Sequence, residues 1–225
     1  MNARVVLAVD VGGSHVKALA SNQTERRRFV SGPSLTAAEM AAGTLKAVDG
    51  WSWDAVTIGV PAPVRGGKLI SEPVNLGKGW LGFDYEGAFG TPTQVVNDAV
   101  MQAVGSYRGG RMLFLGLGTG LGSAMVVDGV VEPLELGHLP FRKKTFEDYV
   151  GERGLKKLGK KKWRHAVFAT VEQLSAAMEP DEVVLGGGGV DELDELPDGC
   201  RRGENENAFL GGFRLWDPDW ASHLA

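Results

Sequence analysis

Cysteine is almost absent from this chain of 225 residues. Cys200 stands alone, so no disulfide can form within the chain, and a reducing cytoplasm is the expected setting. Histidine is scarce too, and one cysteine with four scattered histidines argues against a structural zinc site. A basic excess is missing: 24 Lys and Arg stand against 28 Asp and Glu, for a net charge of −4, which argues against a general nucleic-acid binder. No apolar run is long enough to span a membrane, so no membrane partner is expected. The opening residues form a short strand-like run ending in Asp10 and do not read as a secretory signal. Hydrophobic residues make up 43%, an ordinary globular share, and the length suffices for two small domains.

Glycine is plentiful, and its placement is informative. Asp10-Val11-Gly12-Gly13-Ser14 follows the apolar run Val5–Val9 and leads into His15–Ala20. Gly116-Leu117-Gly118-Thr119-Gly120-Leu121-Gly122-Ser123 follows Met112–Leu115 and leads into strand-like residues up to Val127. Glycines let a backbone turn tightly and bring bare N–H groups against an anion. Ser14 and Thr119 add hydroxyl donors. Two such turns facing each other would grip one polyphosphate from both sides.

Between and after these turns the chain reads as alternating elements. Thr36–Val48 is alanine-rich and predicts a helix; Ala55–Val60 predicts a buried strand. Arg65-Gly66-Gly67-Lys68 reads as a hairpin turn, and Pro73–Phe83 as a loop holding Asn75, Lys78 and Trp80. Thr93–Val96 predicts a strand entering Asn97-Asp98, with a helix over Ala99–Tyr107. The second half restarts the strand–turn–strand pattern. It continues through a lysine-rich helical stretch, Tyr149–Lys162, a helix Ala166–Met178, and a buried strand Glu182–Leu185 entering Gly186–Gly189. Glu192–Asn207 reads as an acidic loop and Ala208–Trp216 as a last helix. The restart suggests two related lobes with a cleft between them.

Several constellations could carry chemistry. Asp10, at a strand end beside the first turn, could hold magnesium through water against phosphates, or could simply cap its own turn. Asn97-Asp98 sits at a strand-to-helix junction. It is either an N-cap pair or places Asp98 to accept a hydroxyl proton in phosphoryl transfer. The helix N-terminus is expected to lower the pKa of Asp98 and keep it ionised. Glu135-Leu136-Gly137-His138 puts an acid beside an imidazole. Vicinal sugar hydroxyls need such paired donors and acceptors, although a solvated Glu beside an incidental His reads equally well. Lys156, Lys157, Lys160, Lys161 and Lys162 are a solvated helix face or a landing strip for a long anion. Gly154…Gly159-Lys160 falls short of a P-loop, because Lys161 stands where Ser or Thr is needed. Trp51, Trp53, Trp80 and Trp163 read as packing residues.

Taken in order, these motifs resemble the ROK family of sugar kinases and repressors, within the actin-like ATPase superfamily, and its polyphosphate/ATP-dependent glucokinase branch in particular. Asp10–Ser14 resembles the family's first phosphate motif, Val95-Val96-Asn97-Asp98-Ala99 its catalytic Asn-Asp, and Gly116–Gly122 its second phosphate motif. Glu135-x-Gly-His138 resembles the sugar-binding signature, Glu147–Leu155 the segment with the next sugar-contacting glutamate, and Gly186–Gly189 the adenosine-side turn.

The resemblance implies an α/β, two-lobed actin-like (ribonuclease H-like) fold. Residues 1–108 would form the first lobe, 109–207 the second, and a closing helix within 208–225 would cross back onto the first. It implies phosphoryl transfer from ATP or inorganic polyphosphate to a hexose, glucose at its 6-hydroxyl. Asp98 would be the base. Asn75, Asn97, Glu135, His138 and Glu147 would hold the sugar. Asp10, Gly12, Gly13, Ser14, Lys17, Gly118, Thr119, Gly120, Gly187 and Gly188 would hold the donor, with Mg2+ near Asp10 through water. A homodimer is possible on this resemblance. Two alternatives stay open: a sugar-binding sensor without catalysis, and a kinase acting on an amino or N-acyl hexosamine. The chain departs from the family in two places. Leu139–Phe146 carries none of the cysteines that hold zinc in many members, so no zinc is expected. The stretch after Gly189 is shorter than in the family. Since the chain opens on the phosphate strand, the DNA-binding role of the repressor members is not expected.

Overall fold

The structure, a computed structural model, describes residues 4–204 and 206–221. The first half runs β1 (Val6–Val11), β2 (His15–Ala20), β3 (Arg27–Val30), α1 (Ala37–Ala47), β4 (Ala55–Val60), the short pair β5 (Val64–Arg65) and β6 (Lys68–Leu69), α2 (Tyr85–Phe89), β7 (Thr93–Asn97) and α3 (Asp98–Ser106). The second runs β8 (Arg111–Leu117), β9 (Leu121–Val127), β10 (Val130–Leu134), the short pair β11 (Pro140–Phe141) and β12 (Lys144–Thr145), α4 (Phe146–Val150), α5 (Glu152–Leu158), α6 (Lys160–Met178), β13 (Glu182–Gly186), β14 (Cys200–Arg202), α7 (Asn207–Arg214) and α8 (Pro218–Ala221).

Two five-stranded sheets share one plan, ordered β3-β2-β1-β4-β7 and β10-β9-β8-β13-β14. Each starts with an antiparallel trio and continues with parallel strands. The apolar runs explain this: all six residues of β4 are buried, as a strand covered on both faces requires. Thr36 caps α1, its Oγ1 accepting from the Glu39 amide at 3.2 Å while the Glu39 carboxylate accepts from the Thr36 amide at 2.9 Å. Trp80 and Trp163 are fully buried, and Trp51 and Trp53 pack against the first core.

The structure differs from the sequence reading in several elements. β3 is a strand that the arginine run hid. It pairs on the sheet edge with β2, where exposed Arg27 and Arg28 face solvent. β14 lies inside the expected loop 192–207 and pairs with β13. The lysine-rich stretch is three helices, not one, because α4 ends at Gly151 and Gly159, at φ 73, ends α5 before α6. The second glycine turn is tighter than expected, since Gly116 and Gly122 pair within β8 and β9 and only 118–120 turn.

The chain passes from one sheet to the other between α3 and β8. α7 then returns: Thr57 Oγ1 of β4 donates to the Gly212 carbonyl at 2.8 Å, and Arg214 donates to the carbonyls of Val104, Gly105 and Tyr107 at the end of α3. Glycines make that crossing possible. A methyl at Gly105 would run into the Asn207 carbonyl, and one at Gly211 into that of Met101. Of the expected lobe residues, 1–3 and 222–225 lie outside the described residues.

Candidate active site

A cleft of about 490 Å3 opens between the sheets. Such crevices form beyond the carboxyl ends of parallel strands, where loops from different elements converge. All the expected site residues line it except Ser14, which is exposed outside it and whose carbonyl accepts from the Ser31 amide at 2.9 Å.

The first wall comes from the β1–β2 hairpin. Asp10 and Lys17 stand opposite each other in the antiparallel register, and Lys17 Nζ lies 3.3 Å from Asp10 Oδ2. The second wall is the β8–β9 turn. A Cβ on Gly13 would lie 3.6 Å from Thr119 Oγ1, so the two glycine turns face each other at close range. Gly118 and Gly188 have open space where a side chain would stand. Gly187, at φ 77, packs its backbone so tightly against Leu117 that a Cβ there would strike the Leu117 carbonyl.

Asp98 sits at the foot of the cleft, at the end of β7 and start of α3. Asn97 caps α3, its Oδ1 accepting from the amides of Ala99 (2.9 Å) and Val100 (3.4 Å), while its Nδ2 donates to the Ala62 carbonyl at 3.2 Å. Asp98 Oδ1 also accepts from the Ala99 amide at 2.9 Å. That bond and the helix terminus favour the ionised form, as the sequence led one to expect, but they are outweighed. Removal from water pushes the Asp98 carboxyl up to about 7, and the negative charges of Asp10 and Glu135 add to the shift. The expected lowering is thus reversed, first because the fold takes the carboxyl out of water and then because a neighbouring strand and a loop bring two more acids to the same cleft.

The third group is polar and aimed at one point. His138 Nδ1 lies 3.7 Å from Glu135 Oε2, and its Nε2 lies 3.9 Å from Glu147 Oε2. Both separations exceed a hydrogen bond, so all three side chains keep free capacity. Burial raises the Glu135 carboxyl, His138 opposes the rise, and Glu147 adds to it. Ser123 anchors this loop, donating to the Leu134 carbonyl at 2.8 Å and accepting from the Leu136 amide at 3.1 Å. Gly137 presses on Leu121, immediately after the second turn, and a Cβ on Gly120 would lie 2.6 Å from Glu147 Oε2. The sugar-type group and the phosphate-type turn are therefore one packed unit. Asn75 lines the same cleft from the opposite lobe, on the loop that Glu72 staples by accepting from the amides of Gly79 and Trp80.

Sequence reasoning missed Gln102 and Arg153, both on the cleft lining. Gln102 follows Asp98 by one helical turn and so shares its face, a spacing that could have revealed it. Arg153 lies within the Glu147–Leu155 segment but was not singled out. Of the lysine patch, Lys156 pairs with Glu152 at 2.6 Å and Lys160 with Glu192 at 3.0 Å. Among the described residues, no group of three or more His, Cys, Asp or Glu side chains is placed to hold a metal ion, and no helix is long and apolar enough to cross a membrane.

No family model matches the chain. In sequence it is similar to a polyphosphate glucokinase from Mycobacterium tuberculosis, 26% identical over 206 residues, covering 80% of this chain and 76% of that protein. In structure it is similar to an inorganic polyphosphate/ATP-glucomannokinase from Arthrobacter sp. strain KM, with a TM-score of 0.80 and 23% identity over 94% of this chain and 97% of that one. The chain has the fold of the ROK kinases and is similar in sequence to a polyphosphate glucokinase. A ROK family glucokinase from Streptomyces griseus, in complex with glucose and AMPPNP, has the same fold, with a TM-score of 0.78 and 17% identity over 94% of this chain and 98% of that one. The fold is thus the two-lobed actin-like one that the ordered motifs implied.

Proposed function

We propose that this chain is a hexose kinase that transfers a phosphoryl group from ATP or polyphosphate to glucose at its 6-hydroxyl. The observation that carries the reading is the close opposition of two glycine turns in a cleft that the Asp98 carboxylate also lines. Glu135, His138, Glu147 and Asn75 hold the sugar's hydroxyls, and Asn97 holds the backbone that presents Asp98. The 6-oxygen attacks the terminal phosphorus of the donor, and its proton passes to Asp98. The bridging P–O bond breaks, and its electron pair leaves with ADP or the shortened polyphosphate. A carboxyl poised near neutrality suits this step better than a strongly acidic one, because a base works best when its pKa lies near the working pH. The backbone amides of Gly12, Gly13 and 118–120 neutralise the transferring group without reorganising.

Asp10 fits a Mg2+ ion held mainly by phosphates. It lines the cleft wall, paired with Lys17 at 3.3 Å, and among the described residues it belongs to no group of three or more His, Cys, Asp or Glu side chains, so an ion there would keep most of its waters. When bound, the ion would supply charge neutralisation on the donor's oxygens. The lone Cys200 fits work in a reducing cytoplasm.

The test is glucose 6-phosphate formation with each donor, comparing the wild type with Asp98→Asn. Loss of turnover by ~10²–10⁴ in the variant is expected. Equal turnover would remove Asp98 from the reaction.

A further inference from the structure

Among the described residues, Lys17 and Arg153 are the lysine and arginine on the cleft lining, and Arg153 forms no salt bridge. It stands directly beneath the second glycine turn: the neighbouring Glu152 amide donates to the Gly118 carbonyl at 2.9 Å, and Gly151 packs against the Thr119 carbonyl. Lys157 lies four residues further along α5, on the same helix face and about 6 Å away along the axis. It is exposed and likewise forms no salt bridge among the described residues. Arg153 thus lines the cleft, and Lys157, one helical turn further on, lies outside its lining.

The lysines beyond Lys157 do not extend this pair. Lys160 is paired with Glu192, and Lys160 and Lys161 border a second groove, of about 840 Å3, that also holds Glu172, Asp194 and Glu195. Arg164 and His165 line the same groove, and Lys160 and Arg164 are already paired with Glu192 and Asp194, so its charges are balanced rather than an open run of cations. Gly159 also breaks the helix between the two lysine groups, so Lys157 and Lys161 do not share one continuous face. Asp148, held below the usual carboxylate range by its bonds with Thr145 and by the charges of Lys144 and Arg153, lines the same cleft beside Arg153.

Building on the kinase reading, we propose that Arg153 and Lys157 are specificity residues for the donor's length. They hold phosphates beyond the one transferred, and so favour a long linear polyphosphate over a donor of three phosphates. The terminal phosphoryl is still the group that moves, and the shortened chain leaves along the same two cations.

The experiment measures KM and kcat for long-chain polyphosphate, tripolyphosphate and ATP, and also calorimetric binding of long-chain polyphosphate. It uses the wild type, Arg153→Gln, Lys157→Gln, the double variant, and Lys160→Gln/Lys161→Gln. Charge-assisted contacts of this kind lead us to expect the double variant to raise the long-chain KM about tenfold relative to the tripolyphosphate KM, with kcat little changed. Its binding of the long chain should weaken in parallel and respond less steeply to salt. The Lys160/Lys161 variant should not alter the ratio of the two KM values. Unchanged long-chain binding in the double variant, or an equal rise in KM for all donors, would overturn the proposal. A protein that binds long chains through Arg153 and Lys157 yet phosphorylates no sugar would contradict the kinase reading and leave this inference standing.

Discussion

Asp98 concentrates the chemistry of this molecule in one side chain. Its carboxyl is held up to about 7 by loss of water and by the charges of Asp10 and Glu135. As the proposed base it must be ionised, so kcat/KM should rise with pH through about 7 and level off above it; a pH profile flat from 5 to 8 would contradict this. The same shift acts on stability. The unfolded carboxyl releases its proton near the ordinary aspartate value of 3.8, whereas the folded one holds it to about 7. The folded state therefore binds the proton more tightly, and this group lowers stability as pH rises between those values. Asp98→Asn removes that penalty. It should unfold later than the wild type at pH 8, by about 1–3 kcal/mol after allowance for water in the cleft, and show little difference below pH 4. Chemical denaturation at the two pH values reads this directly, and a variant less stable than the wild type at pH 8 would refute it. The direction of this shift could not be read from the sequence. The helix N-terminus beside Asp98 was visible there, but the approach of Asp10 and Glu135 is made by the fold.

At the scale of elements, glycines decide which pieces can touch. The α3–α7 crossing depends on Gly105 and Gly211, and Gly212 sits against Ala8 of β1. Gly211→Ala should destabilise the protein by about 1–3 kcal/mol, because the added methyl has only backbone to push against. A lower denaturant midpoint with an unchanged slope is the expected signature, and an unchanged midpoint would show that the crossing can relax. Gly120→Ala tests a different coupling. Its methyl meets the end of the Glu147 side chain, which can swing away, so the fold should survive while the sugar KM rises several-fold. An unchanged sugar KM would separate Glu147 from the sugar. Much at this scale was legible. The glycine turns, the Asn97-Asp98 junction and the bounds of α1 and β4 follow from local rules of capping and apolar patterning. β3 and β14 did not, since arginines fill both, and they are strands only because a neighbouring edge was available to pair with.

Across the whole molecule, two sheets of one design place their first turns face to face, and α3 and α7 lie between them as the shared support. The order of motifs along the chain foretold this plan, because each motif marks the end of a strand in one lobe or the other. What the order could not convey was that Gly137 and Gly120 weld the sugar group to the phosphate turn, or that Arg153 enters the cleft at all. On the proposed reading magnesium would be a whole-site requirement, since Asp10 alone would not retain it. Chelation should therefore abolish turnover and added Mg2+ restore it, while thermal stability without donor stays the same; full activity in chelator would exclude the ion. The measurement that bears most directly on the opposed turns and their carboxylate is phosphoryl transfer to glucose by the folded wild type and by folded Asp98→Asn, with polyphosphate and with ATP. The geometry predicts glucose 6-phosphate from the wild type and a loss of ~10²–10⁴ in the variant with either donor. A wild type that transfers nothing, or a variant that keeps pace with it, would contradict the account.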